Sequence, residues 1–140
     1  MDEGAEKPLG MGYGSAGGPR RPRTPAAGAQ SADASALSPQ IQQSLAAMQD
    51  IVSLLGPIGA NTVTPGGGGS DIEPLTADGV PALSPRTTGA HYFDWHHSEA
   101  DTLDKVDPVE FRKNAAMLSV VAYVLADMDG RLVGRKSAAE

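Results

Sequence analysis

The chain contains no cysteine, which excludes disulfides and thiolate chemistry and leaves histidine and carboxylate side chains as the ligands for any bound metal. Aromatic residues are scarce at 4%, with a single tryptophan. Long apolar runs are also missing. The longest, from Ala115 to Met128, is interrupted by Ser119 and Asp127 and is too short to span a bilayer. The first ten residues, MDEGAEKPLG, have no apolar core and do not read as a secretory leader, so the chain is expected to be soluble. An excess of positive charge is lacking as well. The formal net charge of −6 argues against general affinity for nucleic acid phosphates.

Glycine and proline are abundant instead, at 17 and 11 of 140 residues, a composition between globular and low-complexity chains. The length allows one domain at most. Residues 1–18 carry glycine at short intervals without apolar periodicity and read as loop, closing a strand that lies earlier. Residues 17–37 are rich in Pro, Ala, Ser and Arg and read as a disordered linker or insertion. Arg20, Arg21 and Arg23 are taken as part of a solvated linker, not a basic recognition patch.

Ser38-Pro39 has the form of a helix start. Ile41, Leu45, Met48, Val52 and Leu55 then recur at helical spacing, up to a Gly56-Pro57 stop. Ile58 to Thr64 reads as a short strand, and the four glycines after Pro65 as a loop passing close to another backbone or a ligand. A phosphate loop is disfavoured because the Lys-Ser/Thr ending is absent. Residues 72–78 read as a short helix ended by Gly79, Val80 to Leu83 as a strand, and Ser84 to Ala90 as turns. Asp107-Pro108-Val109-Glu110 forms a capping box. The helix it opens carries a stripe of Phe111, Ala115, Leu118, Ala122 and Leu125, widened by Met117, Val121, Val124 and Met128, so more than half its circumference is expected to be buried. Residues 131–140 form a tail. Strands alternating with helices indicate an α/β arrangement with an incomplete sheet.

Chemistry concentrates between His91 and Asp107, HYFDWHHSEADTLDKVD, which holds all three histidines, the tryptophan and five carboxylates. In extended chain His96 and His97 would point to opposite sides, so one of them is expected to face a metal. Asp101, four residues after His97, is placed to orient an imidazole from behind, and Tyr92, Phe93 and Trp95 to form an apolar wall. The plainer alternative is a half-buried strand end with turn carboxylates. No catalytic triad is evident, because Ser98 lacks the sharp Gly-x-Ser-x-Gly turn.

The run YFDWHHSEADTLDKVDPVEFRKNAAMLSVVAYVLADM closely resembles the C-terminus of the zinc exopeptidases of the carboxypeptidase Q type, relatives of the bacterial leucyl aminopeptidases. GANTVTPGGGGSDIEPLTADGVPAL resembles the segment preceding it in that family, and Asp2-Glu3-Gly4 with Pro8 and Gly10 its Asp-x-Gly loop. The resemblance implies the C-terminal portion of a three-layer α/β/α zinc-exopeptidase domain. Residues 1–16 would be a metal-loop remnant and 38–130 the C-terminal part of the catalytic domain. It also implies two zinc ions, with His97 and Asp2 as ligands of different ions and Asp101 in support. A catalytic residue is not assigned, the general base being expected in earlier sequence. The implied activity is hydrolysis of terminal peptide bonds, of aminopeptidase or dipeptidase type, on peptide or dipeptide substrates. The chain by itself is expected to be inactive, beginning at a truncated or misassigned start, with a homodimer or an upstream fragment as possible partner. Members of the family are often exported to the periplasm or extracellular space. The alternative is a non-catalytic module that packs on a partner chain.

Overall fold

The computed structural model describes residues 5–14, 39–68 and 70–132. Asp2, the 17–37 segment and the 133–140 tail lie outside them.

Three strands form one sheet in the order β2-β1-β3: β1 (Pro8–Gly14), β2 (Thr62–Pro65) and β3 (Ala82–Thr87). β1 pairs parallel with β2 and antiparallel with β3. The glycine-rich start of the chain is therefore the central strand and not a loop. Glycine at alternate positions suits it to that place because the backbone of β2 and of the glycines after it comes unusually close. A Cβ on Gly12 would sit 2.2 Å from the Gly66 carbonyl oxygen and 2.6 Å from Arg86 Nε. β3 likewise continues to Thr87, through residues expected to be turns. Pro85 is tolerated there because its pairing partner lies on one side only among the described residues.

The helices are α1 (Pro39–Ser53), α2 (Glu73–Ala77), α3 (Tyr92–Trp95) and α4 (Pro108–Asp127). Met11 and Tyr13 on one face of β1 meet Met48, Ile51, Val52 and Leu55 from the α1 region and Met117 and Val121 from α4. The apolar stripe of α1 is thus the core seam that its spacing indicates. The helix ends at Ser53, before Gly56-Pro57, which instead open a 3₁₀ turn (Gly56–Ile58) closed by left-handed Gly59. That turn takes up Ile58, so β2 begins only at Thr62.

α4 follows the expected stripe in part: Leu118, Val124, Leu125 and Met128 pack, partly buried, against the core. Asn114, Met117 and Val121 are buried, whereas Phe111 is 48% exposed and Ala115 and Ala122 face solvent. A small sheet and α1 cover only one side of the helix. Asp107 caps it as expected, its Oδ1 accepting the Val109 and Glu110 amides at 2.7 and 2.9 Å. Glu110 does not complete the box; its carboxylate accepts from Lys113 Nζ at 2.7 Å. The result is a mixed α/β fold with α1 and α4 on one sheet face. No helix among the described residues is long and apolar enough to cross a membrane.

The four-glycine loop does pass close to other backbone. Gly66 donates to the Tyr13 carbonyl at 2.7 Å, and Gly68 donates to Ser84 Oγ at 2.9 Å. Ser84 Oγ donates back to the Gly68 carbonyl, and Arg86 Nη2 donates to the Gly66 carbonyl. The Gly66 and Gly68 amides are thus engaged by protein and are not presented to an anion.

Candidate functional site

Residues 88–107 leave β3 and return to α4 across the end of the sheet. The stretch is not extended. Tyr92–Trp95 makes one helical turn, and its backbone bonds continue through His96 N to Tyr92 O, Ser98 N to Trp95 O and Asp101 N to Ser98 O. This ladder brings the aromatic and imidazole rings over one another. His91 stacks on Trp95 at 5.7 Å between centroids, Tyr92 on His96 at 4.3 Å, and His96 lies against His97 at 3.9 Å. The two adjacent histidines are therefore neighbours and do not point to opposite sides, because the turn replaces the strand geometry behind that expectation.

The three histidines have different partners. His91 Nδ1 lies 2.8 Å from Asp94 Oδ2, and His96 Nε2 lies 3.3 Å from the Tyr92 hydroxyl. The His97 ring makes no hydrogen bond among the described residues. His97 also has φ of 56°, the one non-glycine residue with positive φ among the described residues. Such a conformation costs about 1–3 kcal/mol and recurs at functional positions.

A cavity of about 430 Å³ opens here, walled by Tyr92, Trp95, His96, His97, Asp101 and Phe111, with Ala5, Glu6, Lys105 and Val106 completing it. His97 and Asp101 thus share one cavity, though no hydrogen bond joins them. Tyr92 and Trp95 do contribute an apolar wall, whereas Phe93 is 85% exposed and turns away. Ser98 Oγ donates to the Trp95 carbonyl and accepts from Ala100 N, a local turn role. Among the described residues no group of three or more His, Cys, Asp or Glu side chains gathers to hold a metal ion. A catalytic zinc takes three protein ligands and a water, so these residues do not fit one without further donors.

Glu6 is the site residue that the sequence did not single out. Its Oε2 accepts from Thr88 Oγ1 at 2.6 Å and Ala90 N at 2.7 Å, and its Oε1 accepts from His91 N at 2.8 Å. Its own carbonyl accepts from Asn114 Nδ2 at 2.7 Å, and Asn114 is fully buried. Desolvation pushes the Glu6 pKa up, but the bonds from Thr88, His91 and Ala90 together outweigh it, so the carboxyl sits below its ordinary value. A partner 82 or more residues away leaves no local sequence signal.

Asp107 is also lowered, by the Glu110 and Val109 amides, and Asp104 is held at about 2, by Lys105 and then Thr102. A carboxylate whose folded pKa is depressed adds stability above its unfolded pKa, and that stability is lost as pH falls through the folded value. Acid unfolding should therefore set in below about pH 4, the ordinary carboxylate range. Circular dichroism across pH 2–6 should show a smaller acid-side fall in Glu6→Gln combined with Asp107→Asn, whose stability at neutral pH is already reduced. An unchanged fall would refute the assignment.

The chain is 41% identical over 87 residues to carboxypeptidase Q of Mus musculus, covering 62% of this chain and 18% of that protein. Carboxypeptidase Q of Bos taurus is 40% identical over 85 residues, covering 61% and 18%. That of Homo sapiens is 37% identical over 91 residues, covering 65% and 19%. The chain spans under a fifth of the length of these curated relatives. No protein-family model and no solved structure matches it. Over the aligned stretch the chain is homologous to carboxypeptidase Q, in agreement with the resemblance of its His-His-Ser segment.

Proposed function

We propose that this homologue of carboxypeptidase Q is part of a peptidase and that the cavity walled by His97 is its share of the active site. The finer reading is a zinc-dependent exopeptidase, of aminopeptidase or dipeptidase type, acting on terminal peptide bonds. His97 would hold one ion and Asp2 the other, with Asp101 beside His97 and the remaining donors and the general base from elsewhere. Bound zinc would supply an activated water at neutral pH. The cavity residues would receive the peptide, Trp95, Tyr92 and Phe111 excluding water from one side.

The observation that carries this reading is His97 itself: a left-handed residue that lines a cavity together with Asp101 and whose ring makes no hydrogen bond among the described residues. Zinc added to the chain should perturb the His97 ring resonances ahead of those of His91 and His96, with weak affinity and no dipeptide turnover. Perturbation of His91 first would overturn the ligand assignment. Turnover abolished both by chelation and by His97→Ala would show that the chain holds a complete site and not a share of one.

A second reading, a non-catalytic module packing on a partner chain, has one observation in its favour. The outer side of α4 exposes Val109 and Tyr123 at 51% and 70%. Retained function after His97→Ala, lost on Tyr123→Asp, would favour it.

A further inference from the structure

We infer that Glu6 is a positioning residue that sets the conformation of the His96–His97 turn from the opposite end of the chain. Its two carboxylate oxygens hold three donors in a four-residue span: Thr88 Oγ1, Ala90 N and His91 N. The two amides are the last before α3. Fixing them fixes where the helical turn begins. From there each backbone bond determines the next, through Asp94 N to His91 O, His96 N to Tyr92 O and Ser98 N to Trp95 O. This series ends at left-handed His97, whose ring rests on His96.

The clamp is itself held. The Glu6 carbonyl is tied to Asn114 Nδ2, which also donates to the Glu110 carbonyl at 2.9 Å within α4. Thr88 N donates to the Lys7 carbonyl at 3.1 Å, continuing the β1–β3 pairing past the strand end. Glu6 therefore joins the sheet, α4 and the cavity wall at one point. Charge matters to this role. A carboxylate accepts at both oxygens, and charged acceptors are roughly twice as strong as neutral ones. Glutamine has the same shape but presents an NH₂ group to at least one donor, so it breaks one side of the clamp. The same bonds leave the Glu6 carboxylate committed to the Thr88 hydroxyl and two backbone amides, even though Glu6 lines the cavity.

The functional consequence rests on His97 being a site residue, but the conformational one does not, and the test separates them. Ring and indole resonances are followed by NMR in the full chain without metal or substrate, in wild type, Glu6→Gln and Thr88→Val. In Glu6→Gln the His97, His96 and Trp95 signals should shift or double, while the methyl signals of Met48 and Val52, buried in α1, stay in place. Thr88→Val, which removes one of the three donors, should move the same site signals in the same direction by a smaller amount. It also covers the case in which Glu6→Gln does not fold. Unmoved His97 signals in a folded variant overturn the inference. Equal movement of core and site signals also overturns it, since that reports a general stability role. Moved His97 signals with no zinc response at His97 uphold the clamp and refute the metal reading alone.

Discussion

Gly10→Ala is expected to destabilise the chain by about 3 kcal/mol or more, the largest effect of a single methyl group. Gly10 lies in β1 at the register shift between Pro8 and Gly10, paired with Thr62, with φ of 145°. Side chains rarely adopt that angle, which is one cost. The second is steric: a Cβ there would sit 1.9 Å from the Thr62 carbonyl oxygen and 2.7 Å from its amide nitrogen. These are backbone atoms that cannot turn aside, so β1 and β2 must separate. Because β1 is the central strand, the loss would spread to β3 and to the Glu6 end of the cavity. Urea unfolding followed by circular dichroism measures this directly. A midpoint within error of wild type would show that β1 does not lie between β2 and β3 as described.

The second large effect is expected from Met117→Ala, about 2–5 kcal/mol. Met117 is fully buried where α4 meets Met11 and Tyr13 on β1 and the Met48 region of α1. Truncation removes apolar contact and leaves a hole that two helices and a strand can only partly close. Met117→Leu, of similar volume, should cost under about 1.5 kcal/mol. Ala115 and Ala122 on the same helix are exposed, so Ala122→Ser should change little. The comparison distinguishes the Asn114, Met117 and Val121 face from the broader stripe that the sequence suggests. Equal losses at 117 and 122 would mean that the far side of α4 is covered as well.

Part of the site was legible from local chemistry. Adjacent histidines, a following carboxylate and an Asp-Pro cap cluster within 17 residues, and that cluster carries the family resemblance. The way the histidines are partnered was not legible. It depends on whether residues 91–97 are extended or turned, and short aromatic segments satisfy either pattern. Glu6 was invisible because a carboxylate in a Gly- and Lys-containing segment is usually solvated. Its three donors come from the other end of the chain.

By itself the sequence determined the interior α1 stripe, the Asp107 cap, the close-passing glycine loop, the exclusion of thiol chemistry and the homology to carboxypeptidase Q. Each follows from residue type or short-range spacing, which survives in any arrangement of the chain. Only the tertiary structure decided that the glycine-rich start is the central strand, since pairing on both sides supplies bonds that propensity alone would not predict. It also decided which face of α4 is buried, and it separated His97 from His91 and His96. For HYFDWHHSEADTLDKVD the sequence marks the place. The Glu6 clamp and the turn it starts set the place of His97, the histidine whose ring makes no hydrogen bond among the described residues, because long-range hydrogen bonds set the backbone on which the rings are carried.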